Sequence, residues 1–296
     1  MKKYIFIGFL IVLTTGVTAQ QIPILSQYIL NHYSINPAAT GVDEEVLPLA
    51  FTYRKQWAGI NGSPSTQYLS ADMNVAKAMG VGLKFFNYQA GPMRKTGAEL
   101  TYSYHITLNT ENKLAFGLSG LFYQFYLNKS DMNIENPEDP VFDGVDQMFV
   151  ADASFGTYLY GDQYFVGISV PQLFNRNVDL KTDKVLQEKQ VRHYYVFGGY
   201  NFFLNRYFTL EPSLMFKFVE SGLWQVDVNA RAEYKNMFSL GVSFRSYESI
   251  ITMLGFKYEE FYIGYSYDFA IGGINVATFG SHEVLLIYTF PNFIQH

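Results

Sequence analysis

The 296-residue chain contains no cysteine. This excludes disulfide bonds, anchoring through a lipidated cysteine, and every metal or nucleophile motif that is built on thiols. A small secreted domain usually needs disulfides, but a chain of this length can bury a large core or surround itself with lipid. Charge is also scarce, at 16% of residues, and the formal net charge is −5. An acidic chain repels nucleic acid, so we expect no nucleic-acid partner.

Long apolar runs are almost absent, and the one that exists lies at the N-terminus. Lys2 and Lys3 precede the uncharged stretch "YIFIGFLIVL" (4–13), and the small residues of "VTA" end at Ala19. This order predicts a signal peptide over residues 1–19, cleaved after Ala19, and export through the Sec pathway. No later run approaches the ~20 apolar residues that a transmembrane helix needs, so any crossing of a membrane must be made by strands.

Aromatic residues are abundant, with 24 Tyr and 27 Phe, and they recur in alternating patterns. In "LWQVDVNARAEY" (223–234), apolar and polar side chains alternate from Trp224 to Tyr234. A period of two predicts a strand with one polar and one apolar face. In a soluble sandwich the apolar face would meet a second sheet. Ten steps of ~3.3 Å, tilted by roughly 40°, span about 25 Å, which matches the aromatic-edged lipid band of an outer-membrane barrel.

Fourteen segments have strand-like sequence, and no segment has a helical period. The connections after even-numbered segments are short, whereas several after odd-numbered ones are long, at 55–65, 127–147, 171–190 and 271–281. Bacterial barrels show this asymmetry because their periplasmic turns are short and their extracellular loops are longer. We therefore predict an all-β protein, an antiparallel transmembrane β-barrel of the bacterial outer membrane with about 14 strands and both termini periplasmic. The predicted strands are 46–54, 66–73, 79–87, 95–108, 113–126, 148–160, 163–170, 191–203, 207–219, 223–234, 237–246, 249–258, 261–270 and 282–290.

The predicted barrel occupies residues 46–290, followed by a C-terminal tail at 291–296. Residues 20–45 precede the first strand and combine two prolines with many large apolar residues. Because burial of each large apolar side chain is worth roughly 1.5–3 kcal/mol, this segment should dock on something. Two alternatives remain open, a plug inside the barrel's own lumen and a periplasmic docking segment for a partner.

The polar residues that alternate with the lipid-facing ones should point into the lumen, and they form a predicted wall that carries charges of both signs. A selective ion pore would tend to carry a ring of one sign, so the mixture favours a solvated or salt-bridged wall. No histidine lies at a metal-ligand spacing, although His105 and His282 could point inward, and we expect no cofactor. Ser103, His105 and Asp152 could form a triad on paper, but Ser103 and His105 are separated by about 7 Å of strand rise, beyond direct hydrogen-bond reach. We therefore expect that the protein is not an enzyme. The predicted wall residues are Lys84, Glu99, Asp152, Glu211, Lys217, Asp227, Arg231, Glu233, Arg245, Lys257 and Asp268.

The stretch "RKQWAGINGSPST" (54–66) is the most distinctive candidate for partner contact. On chemistry alone an ordinary Gly/Pro loop with a tryptophan at the membrane interface is the favoured interpretation. The alternative is a surface for partner contact or for closing the barrel mouth. The residues concerned are Arg54, Gln56, Trp57, Gly59, Gly62 and Pro64.

Several stretches resemble the PorP/SprF family of outer-membrane components of the type IX secretion system of Bacteroidota. They include "SQYILNHYSINPAATG" (26–41), "RKQWAGINGSPSTQYLS" (54–70), "GVGLKFFNYQAGP" (80–92), "YFVGISVPQLFN" (164–175) and "GSHEVLLIYTF" (280–290). The resemblance runs through almost the whole mature chain and departs modestly in loop 127–147. It implies a non-catalytic barrel in outer-membrane lipid that works with periplasmic ring and motor proteins in export or surface anchoring of secreted cargo, in some members gliding adhesins. It also favours partner contact for the 54–66 motif.

The residues themselves leave a second function open, an outer-membrane transport barrel for a small solute. Lumen blockage distinguishes the two functions, because about fourteen strands enclose a space that stays open unless something fills it.

Overall fold

The computed structural model describes residues 24–131, 144–174, 178–179, 187–188, 191–292 and 294. The predicted signal peptide, with its cleavage after Ala19, lies outside the described residues, as does most of loop 127–147. Among the residues described, no helix is long and apolar enough to cross a membrane.

Fourteen antiparallel strands form one closed barrel, as the alternating sequence predicts. Each strand pairs with its neighbours in the chain, and β1 closes on β14 along its whole length, from the pair Val46 and Pro291 to the pair Lys55 and His282. The barrel strands are β1 Val46–Lys55, β2 Ser65–Ala76, β3 Met79–Ala90, β4 Met93–Thr107, β5 Asn112–Asn128, β6 Val145–Gly161, β7 Tyr164–Val170, β8 His193–Tyr200, β9 Phe208–Val219, β10 Trp224–Tyr234, β11 Phe238–Arg245, β12 Ser249–Tyr258, β13 Phe261–Ala270 and β14 Ser281–Pro291.

The remaining elements are short. Phe202–Phe203 extends β8 along β9, and Val178–Asp179 pairs with Gln187–Glu188 in a separate two-stranded ribbon. The 3₁₀ turns are Tyr28–Leu30, His32–Ser34, Pro37–Ala39, Lys129–Asp131 and Gly273–Val276.

The apolar face of the sheet points outward. In β10, Val228 is 48% exposed, whereas the neighbouring Asp227 is 1% exposed. A soluble sandwich would bury the apolar face and expose the polar one, so the pattern is the inverse of a water-soluble fold. Aromatic residues lie at both ends of the outer face of this strand, where Trp224 packs near Tyr247 and Tyr234 packs near Phe208. This distribution is that of a barrel whose outer surface meets lipid.

The two ends of the barrel differ. One end, here called the turn end, carries connections such as 77–78, 108–111, 162–163, 235–237 and 259–260, together with the start of β1 and the end of β14. The other, here called the loop end, carries the connections 56–64, 171–192 and 271–280, as well as the brief ones at 91–92, 220–223 and 246–248. The predicted alternation therefore holds for the turn end, while the loop end mixes long and short connections.

Candidate functional site

Residues 24–42, here called the lumen segment, lie inside the barrel. Ile24, Tyr28, Ile29 and Tyr33 are buried in one cluster with inward-facing residues of the strands. Polar contacts from this segment reach β1, β2, β4, β6, β7, β10, β13 and β14, which stand on all sides of the lumen. The segment therefore crosses the lumen and does not lie along one wall.

A group of charged side chains, here called the clasp, holds the start of the lumen segment. Glu283 accepts hydrogen bonds from two successive backbone N–H groups, those of Ser26 at 2.7 Å and Gln27 at 2.8 Å. Arg54 pairs with Asp268 at 2.7 Å and with Glu283 at 3.4 Å, and it donates to the hydroxyl of Ser26 at 2.5 Å. All three charged side chains are at most 2% exposed. Removal of one partner from such a buried set leaves an uncompensated charge, so we expect the clasp to tolerate substitution poorly.

The middle of the lumen segment is held by side-chain hydrogen bonds. Asn229 donates to the hydroxyl of Tyr28 at 2.8 Å, and Tyr33 donates to Thr101 at 2.9 Å. Lys84, an expected wall residue, lies 4.1 Å from the ring centroid of Tyr33 and pairs with Glu99 at 3.1 Å. The wall charges thus pair with one another and also pack against the lumen segment.

An aromatic cluster supports the segment near β6, β7 and β8. The His32 ring lies 4.4 Å from the ring of Phe165 and 5.5 Å from that of Phe197, centroid to centroid. Its Nδ1 is 2.9 Å from the hydroxyl of Tyr158. Ring contacts of this kind add to the free energy of apolar burial.

Glycines of the wall make room for the turn at Pro37–Ala39. The amide of Asn36 donates to the Thr157 carbonyl at 2.9 Å, and its oxygen accepts the N–H of Ala38 at 2.9 Å. A Cβ at Gly156 would overlap the Asn36 side chain, and one at Gly117 would overlap the backbone between Pro37 and Ala38. The close approach of the two backbones therefore requires glycine at these wall positions.

Ser103 and His105 are closer than expected, at 2.9 Å between Oγ and Nε2. The prediction that the strand rise keeps them beyond hydrogen-bond reach is wrong, because both side chains converge on the carbonyl of Thr40, at 2.7 Å and 2.9 Å. Asp152 takes no part, since its Oδ1 accepts backbone N–H groups of Ala153 and Phe174. The structure therefore brings two of the three triad candidates together around a backbone group and leaves the third elsewhere.

Ten of the eleven expected wall residues are buried or half-buried on the inner face, and Lys257 is exposed near the turn end. Arg231 pairs across strands with Glu211 at 2.6 Å and along its own strand with Glu233 at 2.8 Å. Asp227 pairs with Arg245 at 3.0 Å, and Lys217 lies 1% exposed nearby. Opposite charges are thus matched locally around the wall.

The 54–66 motif divides between the lumen and the loop end. A role in partner contact would require Arg54 to lie on the surface. Its side chain instead points into the barrel, where it is buried in the clasp. Gln56 reaches Glu248 with an Nε2–Oε1 distance of 3.5 Å. Although burial opposes ionisation of Glu248, the guanidinium groups of Arg245 and Arg54 hold its pKa below the usual range. Trp57 is half-buried, with a left-handed φ of 51°.

The rest of the motif links neighbouring connections at the loop end. Ala58 and the 279–280 backbone exchange two hydrogen bonds of 2.7 Å. The carbonyl of Gly62 accepts the N–H of Gly91 at 2.8 Å, and that of Pro64 accepts the N–H of Gln56 at 2.9 Å. A Cβ at Gly59 would lie 2.6 Å from the ring of Phe279. The motif therefore joins three connections of the mouth into one structure.

Two inward-facing assignments in β14 differ from expectation. His282 points outward, where its Nδ1 lies 2.7 Å from the hydroxyl of Tyr265. Its neighbour Glu283, which was not among the predicted wall residues, is fully buried in the clasp. The pairing of Arg54 opposite Glu283 in adjacent strands was the available signal, but it depends on a register that the sequence alone does not fix. In the part of the chain that the structure describes, no group of three or more His, Asp or Glu side chains is placed to hold a metal ion.

Solved structures share the barrel fold. The Ralstonia pickettii toluene transporter TbuX aligns with a TM-score of 0.53 at 9% identity, over 93% of this chain and 95% of that one. The CymD monoaromatic hydrocarbon channel aligns at 0.50 and 12% identity, over 95% and 96%. A Pseudomonas aeruginosa FadL homologue aligns at 0.50 and 10% identity, over 88% and 93%. At such identities the likeness concerns the fold alone.

No curated protein matches the chain significantly. The family model described as type IX secretion system membrane protein PorP/SprF matches residues 17–288, which include the lumen segment, the clasp and thirteen complete strands. The chain therefore belongs to the PorP/SprF family of type IX secretion system membrane proteins.

Proposed function

We propose that the protein is a non-catalytic outer-membrane component of the type IX secretion system whose lumen segment acts as a plug. In this role the barrel supports export or surface anchoring of cargo proteins, including gliding adhesins, together with periplasmic ring and motor proteins. The observation that carries the proposal is the attachment of residues 24–42 to strands on all sides of the lumen. A barrel filled in this way holds partners on its surfaces and does not pass solutes freely.

We propose a non-catalytic role because the three triad candidates make other contacts. Ser103 and His105 both contact the Thr40 carbonyl, and Asp152 binds backbone N–H groups near Phe174. A nucleophile needs a base and an orienting acid within hydrogen-bond reach of each other. Here Ser103 and His105 hold the lumen segment, and Asp152 holds the backbone of the connection that follows β7.

The route to the membrane is also part of the proposal. We expect a cleaved signal peptide over residues 1–19, Sec export, and insertion into the outer membrane of a Bacteroidota bacterium with the loop end at the cell surface. The shorter connections at the turn end favour a periplasmic location for that end.

A second candidate is a transport barrel for a small solute. It is favoured by the fold shared with the toluene transporter TbuX and the monoaromatic hydrocarbon channel CymD. The aromatic cluster around His32 and Phe165 is chemically compatible with an apolar solute. Passage would require the lumen segment to move, because its contacts cross the whole lumen.

Two readouts in cells separate these functions. Loss of the protein should abolish surface display of secreted cargo, measured by protease shaving and mass spectrometry, while uptake of radiolabelled toluene stays unchanged. Normal cargo display with reduced toluene uptake would favour the transporter instead.

The plug is tested by replacing residues 26–41 with a Gly/Ser linker of equal length. We expect the variant barrel to insert but to conduct ions in a planar bilayer, while the unchanged protein stays closed. A closed variant that loses its co-purifying partners would indicate a docking segment. A variant that keeps both its closed lumen and its partners would show that the segment is a passive leader.

A further inference from the structure

The lumen segment has a direction, which the order of its contacts reveals. Ser26 lies in the clasp, and the clasp is at the loop end of the strands. Arg54 is the penultimate residue of β1, Asp268 is two residues from the end of β13, and Glu283 is the third residue of β14. The first described residues of the chain therefore lie near the loop end.

Later residues lie progressively nearer the turn end. Tyr28 contacts Asn229, at the middle of β10. Thr40 contacts Ser103 and His105, close to the turn-end limit of β4 at Thr107.

The segment leaves the lumen at the turn end. Glu44 pairs with Lys113 at the start of β5, and the carbonyl of Glu45 accepts the N–H of Asn292 at 2.7 Å. Residues 26–45 thus run the length of the lumen once, from the loop end to the turn end.

Few residues precede the segment. With cleavage after Ala19, only residues 20–23 come before Ile24, and four extended residues reach at most about 14 Å. Eight strand steps separate Glu283 from Pro291 at the turn end, which is about 20 Å of barrel height at ~3.3 Å a step and a tilt of roughly 40°. The stretch before Ile24 is therefore too short to return from the clasp to the turn end.

We propose that the mature chain begins at the loop-end mouth, so that its two termini lie at opposite ends of the barrel. This differs from the sequence-based prediction of two periplasmic termini, which counted strands and not the path of the segment before them. The inference does not depend on the secretion function proposed above. The segment is covalently tethered at the turn end through Glu45, next to the first strand residue Val46. A partner that draws the segment out by its free end must act from the loop end.

The cysteine-free chain allows a direct test with two matched variants, Gln21→Cys and Gln295→Cys. A membrane-impermeant maleimide is applied to whole cells and to cells with permeabilised outer membranes, and the heat-dependent gel mobility of the barrel verifies folding. We expect Gln21→Cys to label on whole cells and Gln295→Cys to gain at least tenfold in labelling only after permeabilisation. Pro23→Cys serves as a second N-terminal variant if Gln21→Cys fails to fold.

The other outcomes are also decisive. The reverse pattern would keep the termini at opposite ends and support the threading, while inverting the barrel in the membrane. Labelling of both variants from the same side would overturn the proposal. Labelling of the N-terminal cysteine only after denaturation would overturn it as well, since the chain start would then remain enclosed in the lumen.

Discussion

Arg54 and Asp268 are 214 residues apart in the chain, yet Nη2 and Oδ2 lie 2.7 Å apart inside the barrel. The pair closes the clasp across β1 and β13, with the carboxylate of Glu283 on the intervening strand β14. The hydroxyl of Ser26 accepts from Arg54 and donates to Asp268, so the ion pair also fixes the lumen segment.

Substitution of Arg54 should therefore destabilise the barrel strongly. In Arg54→Ala two buried carboxylates lose their cationic partner, and we expect the free energy of unfolding to fall by about 3–5 kcal/mol. The measurement is a urea titration of the protein refolded into lipid vesicles, followed by tryptophan fluorescence. Arg206→Ala, at an exposed position of the turn end, is the matched control and should change the value by less than about 1 kcal/mol. Similar losses in both variants would contradict the buried clasp.

The fit of the lumen segment is tested at two glycines with left-handed backbone. Gly41, at φ 67°, donates its N–H to Asp72, and a Cβ there would lie 2.8 Å from the Cα of Gly80 and 2.9 Å from the Met73 carbonyl. Gly91, at φ 53°, has open space around the same position. Both Gly→Ala changes carry the strain of a left-handed alanine, but only Gly41→Ala also meets rigid backbone.

We expect Gly41→Ala to cost about 1–3 kcal/mol more than Gly91→Ala in the same urea titration. Equal costs at the two glycines would mean that residue 41 does not pack against β2 and β3.

The sequence predicted the barrel well because alternation is a local property. The face that meets lipid must be apolar at every second residue, so strands such as β10 are recognisable from their own residues. The predicted bounds of this strand and the observed Trp224–Tyr234 differ by one residue at the start.

The alternation fails where the lumen is filled. Phe165 and Phe197 point inward and are buried in the cluster that contains the lumen segment, and Leu285 is buried on the inner face of β14. Strands β7, β8 and β14 therefore carry apolar residues on both faces, and the outward orientation of His282 could not be predicted from them. The path of the lumen segment could not be predicted from the sequence either, because contacts such as that of Ser26 with Asp268 form only in the closed barrel.

Membrane orientation can be measured at the two ends of the barrel. With both termini in the periplasm, the predicted topology puts Trp57, Asp139 and Asp183 at the cell surface. Asp139 and Asp183 lie outside the described residues and Trp57 is half-buried, so the exposed Asn61 is the better loop-end site. We expect Asn61→Cys to react with an impermeant maleimide on whole cells. Glu260→Cys, at an exposed turn-end position, should react only after permeabilisation. Labelling of Glu260→Cys alone on whole cells would place the turn end at the surface.

The lipid face is tested by one substitution at two valines. Val228 is 48% exposed on the outer face at mid-strand, whereas Val276 is 90% exposed in the 271–280 connection. An arginine near the bilayer midplane costs about 2–4 kcal/mol, and one outside the lipid band costs about 0–1 kcal/mol. We therefore expect Val228→Arg to lower the free energy of unfolding in vesicles by about 2–4 kcal/mol. Val276→Arg should leave it nearly unchanged.

The neighbouring Asn229 is not the neutral control that an open lumen would offer. It is 3% exposed, with Nδ2 lying 2.8 Å from the hydroxyl of Tyr28 and 3.3 Å from that of Ser213. Asn229→Arg should therefore also be destabilising, through overpacking against the lumen segment. Replacing residues 26–41 with the Gly/Ser linker should relieve that cost at Asn229 and leave the cost at Val228 intact, because lipid, not the segment, opposes the charge there. Relief at both positions, or at neither, would refute the assignment of the two faces.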